Sequence, residues 1–131
     1  MKYLLDTNIC VYWLKGNSQI EQNVLAAGID AVALSFITVS ELYYGAYKSQ
    51  RMEANLQLVR SLTEQLTVLE SDEAISELFG ELKAGLEKNG MIIDDADLYI
   101  AACAKVHGLT LVTNNTKHFR RIKGLKLENW V

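Results

Sequence analysis

Four short runs without a charged residue punctuate the chain: Tyr3–Leu5, Val32–Ser35, Thr67–Leu69 and Leu109–Thr113. They are too short for helices, and their lack of charge reads as strands covered on both faces, the mark of a parallel sheet. The stretches between them are helix-length and carry helix punctuation. Ile9 to Lys15 is stopped by Gly16-Asn17, and Gln19 to Ala27 by Gly28. Thr38 to Ser49, Met52 to Gln65 and Asp72 to Lys88 follow, the second with Leu56, Val59, Leu62 and Leu66 on one face. An alanine-rich helix then begins among Asp94, Asp95 and Asp97 and ends at Gly108, which can take the left-handed conformation of a helix end. A turn of helix at His118 to Arg121 and an edge strand at Leu125 to Glu128 complete the reading. Short strands alternating with helices predict an α/β fold: a short, mostly parallel central sheet flanked by helices on both faces, with right-handed crossovers.

The chain has 131 residues, the length of a single domain spanning 1–131 and enough to bury a core without staples. Half of its residues are hydrophobic, which argues against disorder. A formal net charge of −3 gives no general attraction to nucleic acid, so any such contact needs a local basic patch. The densest basic stretch is Lys117, His118, Arg120, Arg121, Lys123 and Lys126; it reads equally as a phosphate contact or a solvated face. Cys10 and Cys103 sit in apolar helical contexts with no metal-site spacing, as in a reduced, cytoplasmic protein. Asp6 interrupts the first apolar run, so no signal peptide is expected, and no segment is long and apolar enough to span a membrane.

The acidic residues carry the chemistry. Asp6 follows the first strand, Glu41 falls in the first turn of the helix after the second, and Asp97 opens the alanine-rich helix. Asn114 and Asn115 follow the fourth strand. In an open parallel sheet these places share the crevice beyond the carboxyl ends of the strands. Each acid also has a plainer reading. Thr38-Val-Ser-Glu41 spells a capping box, Asp94 and Asp97 suit a helix start, and Asp6 or Asn8 could cap the first helix. Caps need not converge on one edge, however, and these acids have no basic partners nearby in sequence. Converging carboxylates without such partners repel one another, and a hard cation such as Mg²⁺ or Mn²⁺ relieves them. Such a site suits in-line hydrolysis of a phosphodiester.

Leu4-Leu-Asp-Thr-Asn8, Thr38-Val-Ser-Glu-Leu-Tyr-Tyr-Gly45, Asp94-Asp-Ala-Asp-Leu-Tyr-Ile-Ala-Ala102 and Leu111-Val-Thr-Asn-Asn115 together resemble the motifs of PIN-domain ribonucleases. More narrowly the chain resembles the VapC toxins of bacterial toxin–antitoxin pairs, down to His118-Phe119 and the ending Gly124-Leu-Lys-Leu-Glu-Asn-Trp130. The resemblance implies Asp6, Glu41 and Asp97 as metal-binding acids, with Asn115 as a neutral ligand or water-positioner and Asp94 as an extra acid. It implies a Mg²⁺-dependent endoribonuclease toxin, cutting RNA and frequently tRNA, neutralised by a VapB-type antitoxin and typically homodimeric. The family often has a further acid where Asn114, Asn115 and His118 stand, so a catalytically idle PIN-like module that binds RNA or protein is the alternative. His107 and His118 are read as structural or exposed. A phosphatase or phospho-receiver is disfavoured, because no Asp-x-Asp follows the first strand and no lysine follows the fourth.

Overall fold

Each expected strand is present, and all pair in parallel. The computed structural model describes residues 1–131. Strands β1 (Tyr3–Leu5), β2 (Val32–Ser35), β3 (Thr67–Leu69), β4 (Thr110–Val112) and β5 (Leu127–Glu128) form one sheet in the order β3-β2-β1-β4-β5. Tyr3, Leu4 and Leu5 stand beside Thr110, Leu111 and Val112, while Tyr3 and Leu4 also stand beside Val32 and Ala33. The chain moves outward from β1 to β3, then returns to the other side of β1 for β4. The reversal opens a crevice between β1 and β4, just past their carboxyl ends.

The helices are α1 (Thr7–Leu14), α2 (Ser18–Ala27), α3 (Phe36–Tyr47), α4 (Met52–Gln65), α5 (Glu73–Lys88), α6 (Asp95–Val106) and α7 (Thr116–Phe119). A 3-10 turn at Ile29–Ala31 leads into β2 and had no counterpart in the sequence reading. Successive strand residues point to opposite faces, so the sheet separates two cores. Leu4, Ala33 and Leu111 join the core under α5 and α6, where Ile75, Leu98, Ile100 and Ala101–Ala104 are buried. Leu5, Val32, Leu34 and Val112 join the other, with Ile9, Cys10, Ile20, Leu42 and Val59. Both cysteines are free and buried, as expected.

Helix α3 differs from expectation in a way that matters for the site. It starts at Phe36, because Ser35 ends β2 and also caps the helix, its Oγ accepting from the Thr38 amide at 3.1 Å. No loop separates strand from helix, and Glu41 therefore lies in the second turn rather than the first. The capping-box reading of Thr38 and Glu41 fails for the same reason: Ser35 has taken the amide that Glu41 was expected to satisfy. Helix α7 likewise begins two residues before His118, and β5 is confined to Leu127–Glu128. Gly108 follows α6 with φ +65°, as its position after the helix required. No helix is long and apolar enough to cross a membrane.

Candidate active site

The crevice beyond β1 and β4 gathers its groups from four elements. Asp6 continues β1, its amide donating to the Val112 carbonyl at 2.8 Å. Its side chain is the N-cap of α1, with Oδ1 accepting from the Thr7 amide at 2.8 Å, so the capping reading of Asp6 holds. The other oxygen, Oδ2, accepts from the hydroxyl of Thr113 at 2.8 Å, just past β4. Thr113 is fully buried and in turn accepts from the Asn115 amide at 3.0 Å. Both Asp6 oxygens are thus fixed, and the residue is only 5% exposed.

Glu41 reaches across from α3 and accepts from the Thr7 hydroxyl at 2.6 Å. That hydroxyl also lies 3.1 Å from the Thr38 hydroxyl, which ties the start of α1 to the start of α3. Asp97, in the first turn of α6, does not cap its own helix. Its Oδ2 lies 3.0 Å from His118 Nε2 on α7. Each of the three carboxylates is therefore held by a neutral or weakly basic partner from another element: Asp6 by Thr113, Glu41 by Thr7, Asp97 by His118.

The electrostatics bind them into one site. Burial pushes the Asp6 carboxyl above the usual carboxylate range, against the lowering effect of the Thr113 hydroxyl and the Thr7 amide. The charges of Asp97 and Glu41 push it further in the same direction, which places both within electrostatic reach. No lysine or arginine forms a salt bridge with any of the three; the one Lys–Asp pair is Lys83–Asp95, at 2.9 Å. No group of three or more acidic, histidine or cysteine side chains is drawn tightly enough to enclose a metal ion by itself. The donor set still suits a hard cation that keeps most of its water and touches only one or two carboxylates, as Mg²⁺ does.

The remaining candidates fall at different distances from this centre. Asn115 is exposed at the start of α7 and contributes its backbone amide rather than a side-chain bond. Asn114 donates to the Tyr12 hydroxyl at 3.2 Å, and its own carbonyl oxygen is buried without a partner. Asp94 occupies the N-cap position of α6 but makes no capping bond; it is exposed, among Lys83, Met91 and Ile92. Sequence reasoning missed Thr7, Thr113 and His118 as site groups. The threonines belong to motifs already singled out, but their hydroxyls gain a role only through the register of β1 with β4.

Over residues 3–125 the chain matches the PIN domain family. Ribonuclease VapC2 of Haemophilus influenzae is 42% identical over 136 residues, taking in 100% of this chain and 99% of its own length. The tRNA(fMet)-specific endonuclease VapC of Shigella flexneri is 35% identical, covering 99% of this chain and 98% of itself. Among solved structures, VapBC2 from Rickettsia felis, bound to a DNA fragment from its promoter, superposes with a TM-score of 0.93 at 40% identity and full coverage of both chains. DNA-bound VapBC from Salmonella typhimurium gives 0.95 at 35% identity, covering 100% of this chain and 99% of that one. Sequence kinship along the whole length and a shared fold agree, and the chain belongs to the PIN-domain family, in its VapC ribonuclease branch.

Proposed function

We propose that this chain is a divalent-metal-dependent endoribonuclease toxin, acting on RNA of the tRNA class, with Asp6, Glu41 and Asp97 as its working acids. The observation that carries the reading is the buried Asp6 carboxylate, fixed at both oxygens and within reach of the charges of Asp97 and Glu41, with no lysine or arginine in a salt bridge to any of the three. Mg²⁺, with Mn²⁺ as a substitute, would be held by Asp6 and Asp97, directly or through its waters, with Glu41 completing the set. When bound, the ion neutralises the charge that gathers on a phosphate during hydrolysis.

The chain's own groups do the rest. Thr113 and the Thr7 amide keep the Asp6 carboxylate in one orientation. Glu41, more exposed than Asp6 and held by Thr7, takes up a proton from the attacking water and orients it. Asn115, exposed at the rim, contacts water or phosphate. Lys117 and Arg120 are exposed in and just after α7, the helix that carries His118, and offer phosphate contacts along a bound RNA strand.

The endonuclease of Shigella flexneri is named for tRNA(fMet), which makes tRNA the substrate to try first. The VapBC complexes supply the partner: a VapB-type antitoxin that holds the toxin silent. The chain acts in the cytoplasm as a single PIN domain and assembles as a homodimer. The test is incubation of purified, antitoxin-free protein with total tRNA and Mg²⁺ or Mn²⁺, repeated with EDTA and with Asp97→Asn. Discrete cuts that disappear in both controls are expected. Cuts that persist in EDTA would overturn the metal, and cuts that persist in the variant would overturn the assignment of Asp97. A folded protein that neither cuts nor takes up Mn²⁺ would be the idle binding module instead.

A further inference from the structure

Asp97, His118 and Arg121 form a chain of contacts that runs in one direction only. The guanidinium of Arg121 places Nη2 2.7 Å from His118 Nδ1, while its Nε donates to the His118 carbonyl at 3.1 Å. An arginine side chain has donors and no acceptor. Nδ1 must therefore accept, which places the ring's hydrogen on Nε2. That hydrogen points at Asp97 Oδ2, 3.0 Å away. The ring is four-fifths buried and packs edge-on against the buried Phe119, with centroids 5.1 Å apart, so it has little room to turn.

We propose that His118 is a positioning residue for Asp97, fixed in the Nε2–H tautomer by Arg121. The proposal rests on the metal-dependent reading of the site given above. His118 takes Oδ2 and leaves Oδ1 of the carboxylate available to a cation. A second effect concerns charge. Arg121 in direct contact with Asp97 would neutralise it and compete with a cation. The interposed imidazole passes on the orientation but keeps the guanidinium one ring away. Metal-ligating side chains are commonly held by a hydrogen bond of this kind, and removing it typically weakens metal affinity about 10–100-fold.

The experiment has two readouts. Mn²⁺ binding is titrated by calorimetry in wild type, His118→Ala and His118→Gln, with thermal melts to show that each is folded. Gln carries an N–H donor near the place of Nε2. The expected result is a loss of about 10–100-fold for Ala, with Gln returning to within a few-fold of wild type. A folded Ala variant that binds Mn²⁺ as wild type does overturns the proposal, as does a Gln variant no better than Ala. The second readout needs no metal. The long-range ¹H–¹⁵N spectrum of the His118 ring should show the Nε2–H tautomer in wild type and a mixture in Arg121→Ala. A ring protonated on Nδ1 overturns the assignment even if His118→Ala fails to fold. Wild-type protein that takes up no Mn²⁺ would instead bring down the metal reading, with the tautomer deciding His118 separately.

Discussion

Asp6 is a charge that the fold tolerates rather than welcomes. Its carboxyl is raised in the folded state, so the folded chain holds that proton more tightly than the unfolded one. Stability from this residue is therefore present at low pH and lost as pH rises from the ordinary carboxylate range through the raised value. In metal-free buffer at neutral pH, Asp6→Asn should melt a few degrees higher than wild type while cleaving no RNA. The gain should shrink as the pH is lowered through the carboxylate range. Melts followed by circular dichroism at both pH values check this, and a less stable variant at neutral pH would contradict it. The cysteines give a simpler expectation. Burial pushes Cys103 up to about 11 and Cys10 higher still, so neither should react with iodoacetamide until the chain unfolds. At this scale the acids were legible in the sequence, because carboxylates without basic neighbours are conspicuous wherever they fall. Their partners were not. A threonine or histidine has many ordinary uses, and nothing local marks Thr113 as the donor to a residue 107 positions earlier.

Among the elements, α6 has the least freedom. Ile100, Ala101, Ala102 and Ala104 are completely buried and Cys103 nearly so, so a larger side chain here must push packed neighbours aside. Ala102→Leu should cost about 1–3 kcal/mol through overpacking, seen as a lower urea midpoint with an unchanged slope. Because Asp97 rides on the same helix, some activity should go with it. Helix α7 makes the opposite prediction, since Arg120 is exposed and its effect is electrostatic. Cleavage should slow as salt is raised, and Arg120→Glu should flatten that dependence. An unchanged salt slope would make the basic stretch an ordinary solvated face. The strands and most helices were legible because buried parallel strands advertise themselves as uncharged runs. Helix starts were less so. Ser35 serves as the last residue of β2 and the cap of α3 at once, and a pattern that looks for separate signals puts the boundary too late.

For the molecule as a whole, the sequence pattern announces a parallel sheet but says nothing of strand order. That order depends on which side of β1 the chain chooses after β3, a matter of packing α5 and α6 on one face. Yet the order makes the crevice, since only the reversal at β1 brings Asp6 beside Thr113. Ligand uptake there should be visible globally. Mn²⁺ at 100 times its dissociation constant should stabilise wild type by about 2.7 kcal/mol, and Asp6→Asn and Asp97→Asn should show little of that gain in the same melts. The reach of the Asp6–Thr113 bond also sets a timetable for synthesis. Asp6 is translated 107 residues ahead of its partner, roughly 5–20 s earlier at ribosomal speeds. A nascent chain therefore carries its acids in pieces, with no finished site. The site can close only after Thr113 has been made, which gives a neutralising partner the whole of that interval to be in place.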